Sequence, residues 1–177
     1  MEQPGFPLPR EDLKIFLQSL SKITGLYMMF VPAGSDLPDM IIGESLFCMQ
    51  LKATSDGAIR CKAFTDALRF KASQSGKPEF DLCHARMAEV AVPIFSREGN
   101  NFGTVLLGQA VIQGFSEEHK EHIRHLGSVT GQGDIDRLVV LAAESPVFQR
   151  SRLEALGNFI QEQLLEKLTS SGKGIIY

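Results

Sequence analysis

Two apolar runs in the middle of the chain constrain its fold most. Residues 88–95 and 102–112 are rich in Val, Ile and Leu. The link between them, Arg97-Glu-Gly-Asn-Asn101, has hairpin-turn composition. Such runs across so short a link predict neighbouring antiparallel strands inside a sheet. Gly103 and Gly108 interrupt the second strand, and a strand glycine marks a bulge or a place where a ligand comes close.

Helical patterns flank this pair. From Glu11 onward, Leu13, Phe16, Leu17, Leu20 and Ile23 recur at helical spacing, with Gly25 as the expected stop. Residues 26–31 read as a strand ending at Pro32, and 32–45, rich in Pro and Gly, read as a loop. A short helix is expected over 46–51. Ser55 is the expected N-cap of a longer helix reaching about Ser75. That helix carries two apolar stripes, Ile59/Ala63/Ala67/Phe70 and Cys61/Phe64/Leu68, which predict burial on more than one side. Residues 79–83 add a short extended segment, and Ser116 and Asp134 are expected to start two further helices. A last helix over 150–168 aligns Leu153, Leu156, Ile160 and Leu164. Its stripe suits packing on its own domain, or pairing with a second copy in a homodimer. Strands grouped together, with helices before and after, fit an α+β plan with a mostly antiparallel central sheet and flanking helices. The expected division is an irregular lead-in over 1–10, one domain over 11–149, and an exit helix with a flexible tail over 150–177.

At 177 residues the chain suits a single domain. A net charge of −3 offers little to a phosphate backbone, so direct nucleic-acid binding by this segment is not expected. No apolar run approaches the roughly 18 residues of a membrane span. The start, MEQPGFPLPREDLK, lacks the cationic-then-apolar order of a signal peptide. A cytoplasmic setting is therefore expected, and there three cysteines do not form a disulfide framework.

Those cysteines are Cys48, Cys61 and Cys83, and His84 follows the last. Thiolate and imidazole are zinc ligands, so Cys48, Cys61, Cys83 and His84 form a candidate metal set, although no Cys-x-x-Cys pair is present. The bland alternative is three small buried hydrophobes. A thiol nucleophile with His84 as base is a third reading, and it requires a pocket that lowers the thiol pKa. Gln109, inside an apolar run, must satisfy both ends of its amide, from protein partners or from a small polar ligand. Glu89, within the apolar stretch 87–94, poses the same question, and an alcohol or diol hydroxyl would answer it. His119, His122 and His125 recur every third residue on the helix after Ser116. They read as the partly wet side of a solvated helix rather than as metal ligands.

Taken together, several pieces resemble the PocR ligand-binding domain. They are Leu46-Phe47-Cys48, Gly57-x-x-Arg-Cys61, Phe80-Asp-Leu-Cys83-His84-Ala85, Ala91-Val-Pro93-Ile94 and Gly103-Thr-Val-Leu-Leu-Gly-Gln109. Leu126-Gly127 and Ser145-Pro146-Val147 extend the likeness, which covers about residues 11–169. The resemblance implies a PAS-like α+β fold at the front of transcription regulators and histidine kinases, sensing small organic compounds. Propanediol is the effector associated with the family's namesake. The motif positions it implies are Cys48, Cys61, Cys83, His84 and Gln109; with Phe47 and Glu89 these are the expected ligand-contacting residues, and the output module is expected on the same or a partner chain. The sequence departs from the family at Arg86, where glycine is common, and this would place a long cation beside the expected site.

Overall fold

The computed structural model of the chain describes residues 8–171, so most of the lead-in and the tail beyond 171 lie outside the described residues. Twelve elements follow one another within that range. They are α1 (Arg10–Thr24), β1 (Tyr27–Pro32), β2 (Met40–Ile42), α2 (Leu46–Lys52), α3 (Ser55–Ser75), β3 (Glu79–Leu82), β4 (Ala88–Phe95), β5 (Asn101–Ile112), α4 (Glu117–Val129), α5 (Ile135–Ala143), β6 (Val147–Phe148) and α6 (Arg150–Ser171).

The strands form one sheet in the order β2-β1-β5-β4-β3, antiparallel throughout, with β6 added in parallel to the end of β5. The fold is the expected α+β, PAS-like plan. The expected hairpin is its centre, because β4 and β5 pair along almost their whole length. Two elements were not anticipated. β2 sits inside the segment read as a loop, and β6 is only two residues long. Neither is long enough to show the period-two pattern by which strands are recognised.

Alternation along the strands sorts the core into two faces. Met28, Phe30, Val90, Val92, Val105 and Leu107 point to one side, where α1 and α6 cover them with Leu13, Leu17, Leu153, Ile160 and Leu164. Tyr27, Met29, Ala91 and Leu106 point to the other, against Phe64, Leu68 and Ala72 of α3. Beside α3, a second cluster joins α2, α4 and α5 through Phe47, Leu51, Ile123, Leu126 and Leu138. The apolar stripe of α6 is thus buried on its own sheet. Gly157 allows that close approach, since a Cβ there would lie 2.8 Å from Val90 Cγ1.

Three local expectations need correction. Ile23 is 80% exposed, beyond the arc of α1 that meets the sheet. The N-cap of α3 is Thr54, one residue before Ser55. Its hydroxyl accepts from the Gly57 amide and from Gln132 Nε2, which fixes the cap in place. Only one apolar stripe of α3 is covered. Phe64 and Leu68 pack inward, whereas Ile59, Ala63, Ala67 and Phe70 are exposed.

The corner between α2 and α3 depends on Gly57. A Cβ at this position would lie 2.0 Å from the Leu51 carbonyl oxygen, a backbone atom that cannot swing away. Gly57→Ala should therefore destabilise the domain by at least ~2 kcal/mol, despite alanine's better helix propensity. Urea unfolding followed by circular dichroism checks this, and an unchanged midpoint would contradict it.

Candidate ligand-binding site

The site begins with a break in β5. Up to Leu107 that strand alternates normally, with Val105 and Leu107 facing α1 and α6. Continued alternation would turn residue 109 to the same side. Instead Glu89 pairs with Gly108 while Ala88 pairs with Ala110, leaving Gln109 as the extra residue of a β-bulge. Gly108 has φ 146° and Gln109 φ 57°. Gly108 must be glycine, because a Cβ would lie 2.3 Å from the Ala88 carbonyl oxygen. The left-handed backbone at Gln109 is unusual for a residue with a side chain. Its result is that the carboxamide reaches the α2–α3 side of the sheet, where Oε1 accepts from the Ser45 amide at 2.8 Å. Ser45 is the N-cap of α2, its hydroxyl accepting from the Cys48 amide. The bulge therefore holds the start of α2.

Under α2 and α3 lies a partly open cavity of about 170 Å³. Tyr27, Met29, Glu89 and Gln109 form its floor on the sheet. Phe47, Cys48, Leu51 and Lys52 of α2 and Ala58, Cys61, Lys62, Phe64 and Thr65 of α3 form its roof, and Cys83 and Ala85 close one end. Six of the seven residues expected to contact a ligand, namely Phe47, Cys48, Cys61, Cys83, Glu89 and Gln109, line this one space. His84 does not line it. It sits behind Cys61, with Nε2 3.8 Å from the thiol sulfur and Nδ1 buried without a hydrogen-bond partner.

The polar groups of the cavity are few and specific. Glu89 is buried and makes no hydrogen bond among the described residues. Burial is the main cause that raises its carboxyl pKa to about 7; Glu44 raises it further, and Lys52 opposes both. The Lys52 ammonium is itself paired with Glu44. Gln109 uses Oε1 on Ser45, and its Nε2 has no protein acceptor among the described residues. Tyr27 donates its hydroxyl to Met29 Sδ at 2.9 Å. Thr65 and Lys62, the latter paired with Asp66, add polar groups on the α3 side, and the rest of the wall is apolar side chains and thiols.

The thiols are held in their neutral form. Burial raises Cys61 to about 11 and Cys83 to about 12, and drives Cys48 well above its ordinary value. A nucleophilic cysteine needs the opposite shift. Cys48, Cys61, Cys83 and His84 are not gathered into a ligand shell either. Among the described residues no group of three or more His, Cys, Asp or Glu is placed to hold a metal ion.

The sensory domain found in PocR matches residues 8–172, nearly the whole chain. The chain belongs to the PocR sensory-domain family. No curated protein matches it. Among solved structures, a Rhodococcus sp. protein described as an IclR-family transcriptional regulator is 12% identical with a TM-score of 0.30. The match covers 87% of this chain and 66% of that one, slightly under two thirds, and so weak a likeness carries no argument.

Within this PocR domain the Arg86 departure has a local explanation. Arg86 adopts φ 57°, a left-handed conformation that suits the glycine common in the family. Its side chain does not enter the cavity. It turns outward to pair with Glu118 at 2.7 Å. The turn from Cys83 to Arg86 is also bonded to α4, because His122 Nε2 meets the His84 carbonyl at 2.7 Å and His119 Nε2 meets the Ala85 carbonyl at 3.0 Å. His119 is buried and His122 partly so, and only His125 is exposed. The expectation of a wet histidine face is thus corrected for His119. Its buried ring is placed by the carbonyl it meets and by Phe115, 4.8 Å away between centroids.

Sequence reading did not single out Tyr27, Met29, Leu51, Lys52, Ala58, Lys62, Phe64, Thr65 or Ala85 as cavity residues. A signal was available for the first two, since an exposed-looking Tyr opens an apolar strand. None was available for Lys52 or Thr65, which look like ordinary helix-surface residues.

Glu89 makes stability depend on pH. A carboxyl raised in the folded state contributes fully below its unfolded pKa, near 4.5, and that contribution is lost as pH rises through about 7. The parent chain should therefore lose stability relative to Glu89→Gln between these limits, by on the order of 3 kcal/mol, and no further above them. Denaturant midpoints of both proteins from pH 4 to 8 test this, and a pH-independent difference between them would contradict it.

Proposed function

We propose that this PocR domain senses a small, neutral, hydroxyl-bearing organic molecule, alcohol- or diol-like, bound in the cavity beneath α2 and α3. The observation that carries the proposal is the pair formed by a buried Glu89 carboxyl and a Gln109 Nε2, both in the lining of a mostly apolar cavity and without protein partners among the described residues. Buried polar groups are normally hydrogen-bonded. A ligand hydroxyl can donate to Glu89 or accept from its protonated form, and a second oxygen can accept from Gln109. The volume limits the ligand to few atoms, since a void of ~150 Å³ is about benzene-sized. A carboxylate ligand would face an unneutralised acid, because the two lysines of the lining are engaged, Lys52 by Glu44 and Lys62 by Asp66.

Occupancy would reach the exit helix along a short covalent and hydrogen-bonded route. Gln109 is followed on β5 by Val111 and Ile112, which pair with Val147 and Phe148 of β6. The Val111 amide donates to the Pro146 carbonyl at 2.8 Å and the Gln113 amide to the Phe148 carbonyl at 3.1 Å. α6 begins two residues after β6, and its Arg150 guanidinium lies 4.5 Å over the Phe80 ring of β3. A ligand that rotates the Gln109 carboxamide would bias this junction, provided that it binds the two arrangements with different affinity. The output module of a bacterial or archaeal regulatory protein would then read α6. A metal- or redox-sensing role has less support, given three thiols held neutral and no assembled ligand group.

Calorimetric titration with 1,2-propanediol, 1-propanol and glycerol tests the ligand class. The diol is expected to bind. Gln109→Ala should weaken it about tenfold, the effect of one lost hydrogen bond, and His84→Ala should leave it unchanged. No binding by any of the three, or binding indifferent to Gln109→Ala, would sink the proposal.

A further inference from the structure

The exposed stripe of α3 is unusual for a helix that also roofs a cavity. Ile59 is 64% and Phe70 67% exposed, with Ala63 and Ala67 open between them. The four fall within roughly 80° of helix arc. The stripe is therefore contiguous, and a contiguous exposed apolar face marks a contact surface. α6 offers no comparable stripe, because its Leu153, Ile160 and Leu164 are buried on the sheet.

We propose that this face of α3 joins two copies of the chain, with the two α3 helices antiparallel about a two-fold axis near residue 65. The pattern reads nearly the same in either direction. Reversal sets Ala63 opposite Ala67 of the second copy, Ile59 beside its Phe70, and Asp56 opposite its Gln74. Small residues at the centre let the axes approach, while the large ones at each end interlock. On one flank the reversal brings the Lys62–Asp66 ion pair of each helix beside that of the second copy, so that four alternating charges meet, each already paired within its own helix. On the other flank, Arg60 is already paired with Asp56 at 2.8 Å within its own helix. A patch used identically by both copies forms a closed pair. One helix face is small beside the ~1,600 Å² of a standard interface, so the dimer is weak and concentration-dependent. Cys61 and Thr65 lie on the cavity side of the same helix, so the contact adjoins the sensory site.

Sedimentation velocity of the full chain, at concentrations up to about 1 mM, tests this. The parent is expected to pass reversibly from monomer to dimer. Ala63→Glu should stay monomeric at every concentration, with an unchanged circular dichroism spectrum and melting temperature, since residue 63 is exposed. Adding Ala67→Lys to that variant should restore the dimer, because antiparallel pairing sets the new acid against the new base. A parent that remains monomeric, a dimer untouched by Ala63→Glu, or a double variant that stays monomeric would overturn the proposal. So would a dimer dissociated by Phe159→Glu on α6 and not by Ala63→Glu.

Discussion

One extra residue in β5 organises this domain. Without the bulge at Gly108 and Gln109, the carboxamide would face α6 and the α2 N-terminus would lose its anchor on the sheet. With it, a polar side chain crosses to the cavity side, bonds the Ser45 amide, and keeps one donor facing the empty space. The same bulge shifts the alternation beyond it, so that Ala110 faces the α1 and α6 layer and Val111 the α2, α4 and α5 cluster. The left-handed conformation at Gln109 costs on the order of 1–3 kcal/mol, which the hydrogen bond to Ser45 and the packing around the bulge offset. A strained residue that points into a cavity is the kind of feature that function maintains.

Around that bulge the remaining parts act as supports. Gln132, in the link between α4 and α5, donates to the Leu51 carbonyl at 3.0 Å and to the Thr54 hydroxyl at 3.1 Å, tying the α2–α3 corner to the helices behind it. His119 and His122 do the same for the turn that carries Cys83 and Ala85. Every wall of the cavity is thus attached to a different element: the sheet below, α2 and α3 above, α4 at the end. A change in its contents must be felt by at least one of them. Glu89 is the electrostatic counterpart of this arrangement. Its carboxyl is close to half protonated near neutral pH, so it can offer either a donor or an acceptor to what enters.

Much of this was legible in the sequence, and the exceptions share a cause. The β4–β5 hairpin, α1, α3 and the caps at Ser116 and Asp134 follow from local pattern and cap chemistry, which are short-range. Six of the seven suspected ligand positions line one cavity; Glu89 and Gln109 stood out as polar residues in apolar runs, a signal that burial itself creates, and the cysteines by their type and the family resemblance. His84 lies outside the cavity lining although its neighbour Cys83 is in it, because a turn, unlike a strand, gives no simple rule for where the next side chain points. The exposure of Ile59, Ala63, Ala67 and Phe70 was hidden because an apolar stripe reads alike whether its partner is its own domain or another molecule. β2 and β6 exist only through pairing with distant residues, which no short window contains.

The central claim is that the space beneath α2 and α3 is where a small molecule binds, and Met29 reports on it directly. The chain has six methionines. Met29 lines the cavity, whereas Met49 is exposed on the outer side of α2. With the methionine methyl groups labelled with carbon-13, titration by 1,2-propanediol should shift the Met29 resonance along a saturating curve and leave Met49 in place. A diol that saturates elsewhere, with Met29 unmoved, would contradict the assignment of the site.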